Sequence, residues 1–177
     1  MPSARTHDFI TIVSAAAGAP AALNAGLPDL GPTNTIVLLG SYLASGLLFS
    51  PDLDLHSSPY RRWRKLRWIW LPYQRLVPHR SWISHSLLFG PLLRVLYFAG
   101  AMCLLSLVAL GILNLMVPVD PTGTMLNITS AIAAWVQAHP ATLGYAVLGF
   151  FLGAAAHTIA DVVTTAFKRR TAPRRRF

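Results

Sequence analysis

From Val95 to Val117 the chain runs for 23 residues with nothing more polar than Ser106 and Asn114. A helix crossing the hydrocarbon of a bilayer needs about 20 apolar residues, and a helix apolar on every side has to be surrounded by apolar material. Three more stretches have the same character. Leu143 to Phe167 is interrupted by His157 and Asp161 near its far end, Thr35 to Phe49 is short and continuous, and Phe9 to Leu23 is weakened by Gly18 and Pro20. Only 12% of the 177 residues are charged, against about a quarter in an average soluble domain. The expected fold is therefore all-α, an integral membrane bundle of about four hydrophobic helices. Residues 1–167 are expected to form a single membrane-embedded domain with a basic interfacial loop at 56–80, followed by a basic tail at 168–177. The N-terminal stretch also admits a signal-peptide reading, with Arg5 as basic flank and small residues at 15–19.

The charges are placed unevenly. Of 15 Lys and Arg, seven lie between Arg61 and Arg80 and six between Lys168 and Arg176, whereas the connections 24–34 and 118–140 have none. By the positive-inside rule the basic loop and the basic tail are cytoplasmic and 118–140 is outside. Both termini then face the cytoplasm, and the expected location is the bacterial inner (plasma) membrane, multi-pass. Segment 60-YRRWRKLRWIWLPY-73 places Trp63, Leu66 and Trp70 near one helical face, which predicts an interfacial helix meeting anionic lipid. Nothing in it matches a nucleic-acid-reading motif, so membrane lipid is the expected partner and nucleic acid is not.

The polar residues that remain gather in knots. There is no Glu, and Cys103 is the single cysteine, so neither a disulfide nor a cysteine-based metal site can form within one chain. Imidazole and Asp carboxylate instead cluster at His7, at 51-PDLDLHS-57, at 79-HRSWISHS-86 and at 157-HTIAD-161. With the orientation above, every knot falls on or near the cytoplasmic face. His157 and Asp161, four apart, share a helical face, and the same ladder runs back through Gly153 and Gly149, which lets a neighbouring helix approach closely. A packed His/Asp pair bonded only inside the bundle is the simpler alternative, but ionisable groups at membrane depth usually mark function. Pro51 stops the preceding helix, leaving Asp52 and Asp54 in a turn where both can swing toward one point, or merely cap and turn the chain. His56 either joins them or faces the headgroups. His79 and His85 converge only if a helix begins between them, for which Pro78 and Ser81 supply the break.

His7, Asp52, Asp54, His79, His85, His157 and Asp161 thus form a candidate N/O ligand set for a divalent metal, suited first to zinc and also to manganese or iron. Seven candidates exceed the needs of one catalytic zinc, so the reading allows two metals, or one with further carboxylates around it. Asp54 and Asp161 are the candidate catalytic groups, each a proton acceptor in metal-assisted hydrolysis. Arg80 and Arg94 are candidates for a substrate phosphate. Arg94, just before the long apolar run, also reads as an anchor snorkelling to the inner interface.

At these residues the chain resembles a bacterial family of metal-binding integral membrane proteins of unknown function and, more distantly, the inner-membrane metal-dependent hydrolases. The resemblance rests on His7, 51-PDLD-54 with 59-PYRRW-63, 79-HRSWISHS-86 and 157-HTIAD-161, and it covers nearly the whole chain. The hydrolase relatives usually have Thr-His-Ser where this chain has 84-SHS-86, and an apolar residue where it has Asp8. What the resemblance implies is metal binding, and at second hand hydrolysis of a phosphoester or lipid-like substrate at the cytoplasmic face. Two rival functions use the same residues differently: a metal transporter or sensor without hydrolysis, and a scaffold that gathers anionic lipid.

Overall fold

A computed structural model of the protein describes residues 4–77 and 86–171, with the side chains at 165 and 167–171 left undescribed. His79, Arg80, His85 and the end of the basic tail lie outside the described residues. Every regular element within them is helical. Helix α1 spans Ala4–Leu23, α2 Pro32–Leu47, α3 Ser58–Arg62, α4 Leu71–Leu76, α5 Phe89–Asn114, α6 Pro121–Ala138 and α7 Pro140–Thr171, and 3₁₀ turns occupy Pro51–Asp54 and Arg64–Trp70. Proline opens α2, α6 and α7 and the first 3₁₀ turn, a position where its missing N–H costs nothing. Three helical stretches are long and apolar enough to cross a membrane: Pro32–Asp54, Phe89–Asn114 and Pro140–Thr164. Helix α1 is not among them.

The register of three helices follows from glycines. A Cβ on Gly149 would run into the Leu38 carbonyl and Ser41 Oγ, and one on Gly153 into the Tyr42 carbonyl. Helix α7 therefore lies directly on the backbone of α2, and because 149 meets 38 while 153 meets 42, the two helices run parallel. On the other side of α2, Thr11 is fully buried with its methyl 2.6 Å from where a Cβ on Gly46 would stand. Ser14 Oγ lies 2.6 Å from the Tyr42 hydroxyl. Since 11 meets 46 and 14 meets 42, α1 runs antiparallel to α2. The start of α1, the end of α2 and the later half of α7 consequently sit at one end of the bundle.

The same end carries the aromatic core. Phe49 is its hub, with ring centroids 5.4 Å from Trp63, 5.6 Å from Trp70, 5.3 Å from Phe98 and 5.5 Å from Phe150. This joins the end of α2, the 60–73 segment, α5 and α7. The expectation of one interfacial helix across 60–73, with Trp63, Leu66 and Trp70 at headgroup depth, is corrected here. The segment is broken into α3, a 3₁₀ turn and α4. Trp70 is 0% exposed and Trp63 is half-buried, with its indole N–H donating to the Leu48 carbonyl at 3.1 Å. The reason is phase: at three residues per turn Trp70 leaves the face it would share with Leu66 on an α-helix. Burial against Phe49 then outweighs a half-wet position, since a buried aromatic is worth several kcal/mol, about 3–5 by truncation. Leu66 and Trp68 stay exposed.

The 118–140 connection, read from sequence only as a loop free of Lys and Arg, contains α6, which buries no residue. Thr122, Thr124, Asn127, Thr129 and Ser130 interrupt its apolar pattern and conceal it from a hydropathy reading.

The packing predicts a graded response along α7. Gly149→Ala and Gly153→Ala are each expected to destabilise by about 1–3 kcal/mol, the usual cost of overpacking. Gly144→Ala, where a Cβ meets nothing within 4 Å, should be neutral or stabilising by up to about 1 kcal/mol. Thermal unfolding of the detergent-solubilised variants measures the difference, and equal behaviour of all three would remove the backbone contact.

Candidate metal centre

One turn beyond the Gly153 contact, α7 presents His157, and one turn before Thr11, α1 presents His7. The two rings stack with centroids 4.0 Å apart and planes 17° from parallel. Asp161, the next turn of α7, places Oδ1 3.2 Å from His7 Nε2 and Oδ2 3.7 Å from His157 Nε2. The first 3₁₀ turn brings Asp52, whose Oδ2 is 3.5 Å from His157 Nε2. In His7, His157 and Asp161 one ligand atom from each lies within 4.8 Å of the others. A cavity of about 10 Å³ opens among Ala4, His7, Gly46, Asp52, Pro59 and His157, room for roughly one water-sized sphere.

These separations bear on whether the cluster is self-satisfied or a cation site. Charge-assisted N–H···O bonds run about 2.7–2.9 Å, shorter than any of the three distances. Both His157 ring nitrogens, His7 Nδ1 and both Asp161 oxygens are buried and make no hydrogen bond. Ligands about 2.0–2.1 Å from a tetrahedral ion stand about 3.4 Å apart, in the middle of the observed range of 3.2 Å to 3.7 Å. The residues present fit a divalent metal. Burial, reinforced by the neighbouring His157, holds the His7 imidazole below its usual range although Asp161 and Asp52 pull upward, and the neutral ring is the form that ligates.

The turn that delivers Asp52 is built locally. Ser50 is extended ahead of Pro51, as residues before proline prefer. Ser57 Oγ donates to the Asp52 carbonyl at 2.6 Å and accepts from the Tyr60 N–H at 3.4 Å. Gln74 Nε2 donates to the Leu53 carbonyl at 2.9 Å and the Leu55 carbonyl at 3.1 Å. Asp52 and Asp54 diverge within it. Asp52 joins the histidines, whereas Asp54 is buried in the electrostatic company of Arg94 and Tyr73. The phenol of Tyr73 is pushed above its usual range by burial. Arg94 is 0% exposed, with Tyr73 its strongest electrostatic partner, then Asp54 and Asp52. Its reading as an anchor snorkelling to the interface is corrected: the guanidinium ties α5 internally to the aspartate turn.

Of the seven ligand candidates, His7, Asp52, His157 and Asp161 are thus brought together. Asp54 stands beside them on Arg94, and His79 and His85 lie outside the described residues, as does Arg80. His56 is exposed and packs edge-on against Tyr60. Three contributors escaped the sequence reading. Arg62 pairs with Asp8 and donates to the Leu47 carbonyl at 2.8 Å, fixing the start of α1 over the end of α2. Tyr73 and Gln74 support the aspartate turn. The one sequence signal for Arg62 was the carboxylate of Asp8 beside His7.

Comparison with known proteins agrees with this centre. A family described as "Uncharacterized metal-binding protein (DUF2227)" matches residues 2–171. An uncharacterized protein of Aquifex aeolicus (strain VF5) is 40% identical over 57 residues, which are 32% of this chain and 40% of that protein, so the match spans well under half of the relative. No solved structure matches. A match over nearly the full length, with buried imidazole and carboxylate donors at its centre, means that the chain belongs to the DUF2227 family of metal-binding proteins.

Proposed function

We propose that the protein is an integral membrane protein of the bacterial inner membrane that binds one divalent metal through His7, Asp52, His157 and Asp161 at the cytoplasmic end of its bundle. Zinc suits the donor set and spacing best, and the ion serves hydrolysis of a phosphoester or lipid-like substrate. The observation that carries the reading is the convergence of the buried nitrogen and oxygen donors of His7, His157 and Asp161 from α1 and α7, with Asp52 of the 51–54 turn 3.5 Å from His157. The basic loop beside α2 and the basic tail after α7 support a cytoplasmic centre.

A divalent metal held there supplies Lewis acidity toward a phosphoryl oxygen and a more acidic water. The chain's own groups do the rest. The stacked imidazoles close the site from α1 and α7, and the small cavity edged by Ala4 and Pro59 limits the water around it. Asp161 offers two oxygens, of which one can accept a proton while the other holds its place. Asp54 and Arg94 fix the turn carrying Asp52, the kind of supporting contact whose loss costs about 10–100-fold in metal affinity.

Metal analysis of detergent-purified protein is expected to give one equivalent in the wild type and in His56→Ala, and far less than one in His157→Ala and Asp161→Asn. A full equivalent in His157→Ala would falsify the centre.

A phosphoester panel assayed with and without chelator tests the chemistry. Chelator-sensitive turnover reduced by about 10²–10⁴-fold in Asp161→Asn is expected if its carboxylate transfers the proton. Stoichiometric metal without chelator-sensitive turnover would instead favour a transporter or sensor.

A further inference from the structure

Where the second 3₁₀ turn and α4 stand beside α5, they leave an apolar groove of about 450 Å³ that shares no lining residue with the metal centre. Trp68, Ile69 and Pro72 form one wall, and Leu96, Gly100 and Leu104 the other. The Tyr97 hydroxyl donates to the Ile69 carbonyl and pins the walls together. From Leu96 to Leu104 the α5 wall extends about 12 Å, the length of part of one acyl chain. A Cβ on Gly100 meets nothing within 4 Å, so this glycine leaves space that the fold itself does not fill.

The segment that forms the Trp68 wall carries exposed charge of one sign. In a 3₁₀ turn residues three apart are eclipsed, which sets Lys65 over Trp68; Arg67 directly precedes Trp68 in the chain, and Arg64 opens the turn at φ 49°. Lys65, Arg67 and Arg64 are exposed, as is Arg75. No acidic residue occurs between Asp54 and Asp120, so nothing along the segment neutralises them locally, and Arg62 alone of the nearby cations is drawn off, by Asp8. An apolar groove walled by a segment rich in exposed cations complements an amphiphile with an anionic head.

We infer that this groove is a binding site for one anionic phospholipid, an acyl chain lying along α5 from Tyr97 to Leu105 and the phosphate meeting Lys65 at the Trp68 wall, with Arg67 beside it. The inference rests on the reading of the protein as membrane-embedded. The site is separate from the metal centre and needs no metal. It gives the basic segment a defined ligand in place of diffuse attraction to the bilayer surface.

The test is native mass spectrometry of protein released from vesicles of equal parts phosphatidylglycerol and phosphatidylcholine, with metal content measured on each sample as the check of folding. The wild type should retain one phosphatidylglycerol in preference to phosphatidylcholine by roughly tenfold. The double variant Lys65→Gln with Arg67→Gln should bring that preference close to parity, Gly100→Phe should lose the bound lipid of either kind, and millimolar inorganic phosphate should displace nothing. Equal retention of the two lipids by wild type, undiminished lipid on Gly100→Phe, or displacement by inorganic phosphate each overturns the groove. Flotation after an alkaline wash separates the two failures. Protein stripped from the vesicles would sink the membrane reading and this inference with it, whereas embedded, metal-loaded protein without lipid preference would sink the groove alone.

Discussion

The architecture depends on α7 lying with its glycines against the carbonyls of α2. That contact fixes the height at which every later residue of α7 arrives, and its geometry explains why the centre needs three elements. A four-residue ladder on a helix of 3.6 residues per turn drifts by about 40° per step, so Gly149, Gly153, His157 and Asp161 spiral slowly around α7. The two glycines meet α2. By the time the ladder reaches His157 and Asp161 it has turned off α2, which ends at Leu47, toward the start of α1 and the 51–54 turn. His7 and Asp52 are supplied by the two elements toward which the drift points.

Electrostatics restricts what this arrangement can contain. Asp52 and Asp161 bring two carboxylates into a largely buried space beside a His7 ring whose pKa burial pushes below its usual range. Unpaired buried charge is costly, several kcal/mol per ion even after relaxation. A divalent cation balances both carboxylates at once. Arg94 offsets the remaining acid, Asp54, from the opposite side of the turn. Tyr73 and Asp54 thus face Arg94, which accounts for a fully buried guanidinium at the head of an otherwise apolar helix.

The parts legible in the sequence are those governed by periodicity and composition. The long apolar runs, the His157/Asp161 face and the close approach through Gly149 and Gly153 follow from residue spacing on a regular helix. The 60–73 segment does not, because a 3₁₀ turn changes the period from 3.6 to 3.0, and Trp70 moves from an assumed wet face into the core. Asp52 and Asp54 could not be separated by spacing either. Neighbours two apart in an irregular turn point wherever its hydrogen bonds send them, and those bonds come from Ser57 and from Gln74, 19 to 21 residues away. Arg94 was misjudged for a similar reason, since only the fold reveals that Tyr73 and Asp54 wait for it at the base of α5.

The basic aromatic segment and the metal centre are mechanically one unit. Gln74 in α4 holds the carbonyls of Leu53 and Leu55, and these bracket Asp54 and follow Asp52 directly. Trp63 holds the Leu48 carbonyl, and Arg62 holds the Leu47 carbonyl and Asp8. The segment thus grips the chain on both sides of the aspartate turn as well as the start of α1, where His7 sits one residue before Asp8. A force on its exposed cations, from an anionic headgroup or any other partner, cannot shift the segment as a rigid body without moving Asp52 relative to His157. Short polar bonds to backbone, not side-chain packing alone, carry that coupling, so the exposed basic surface and the geometry of the centre are set by the same few residues.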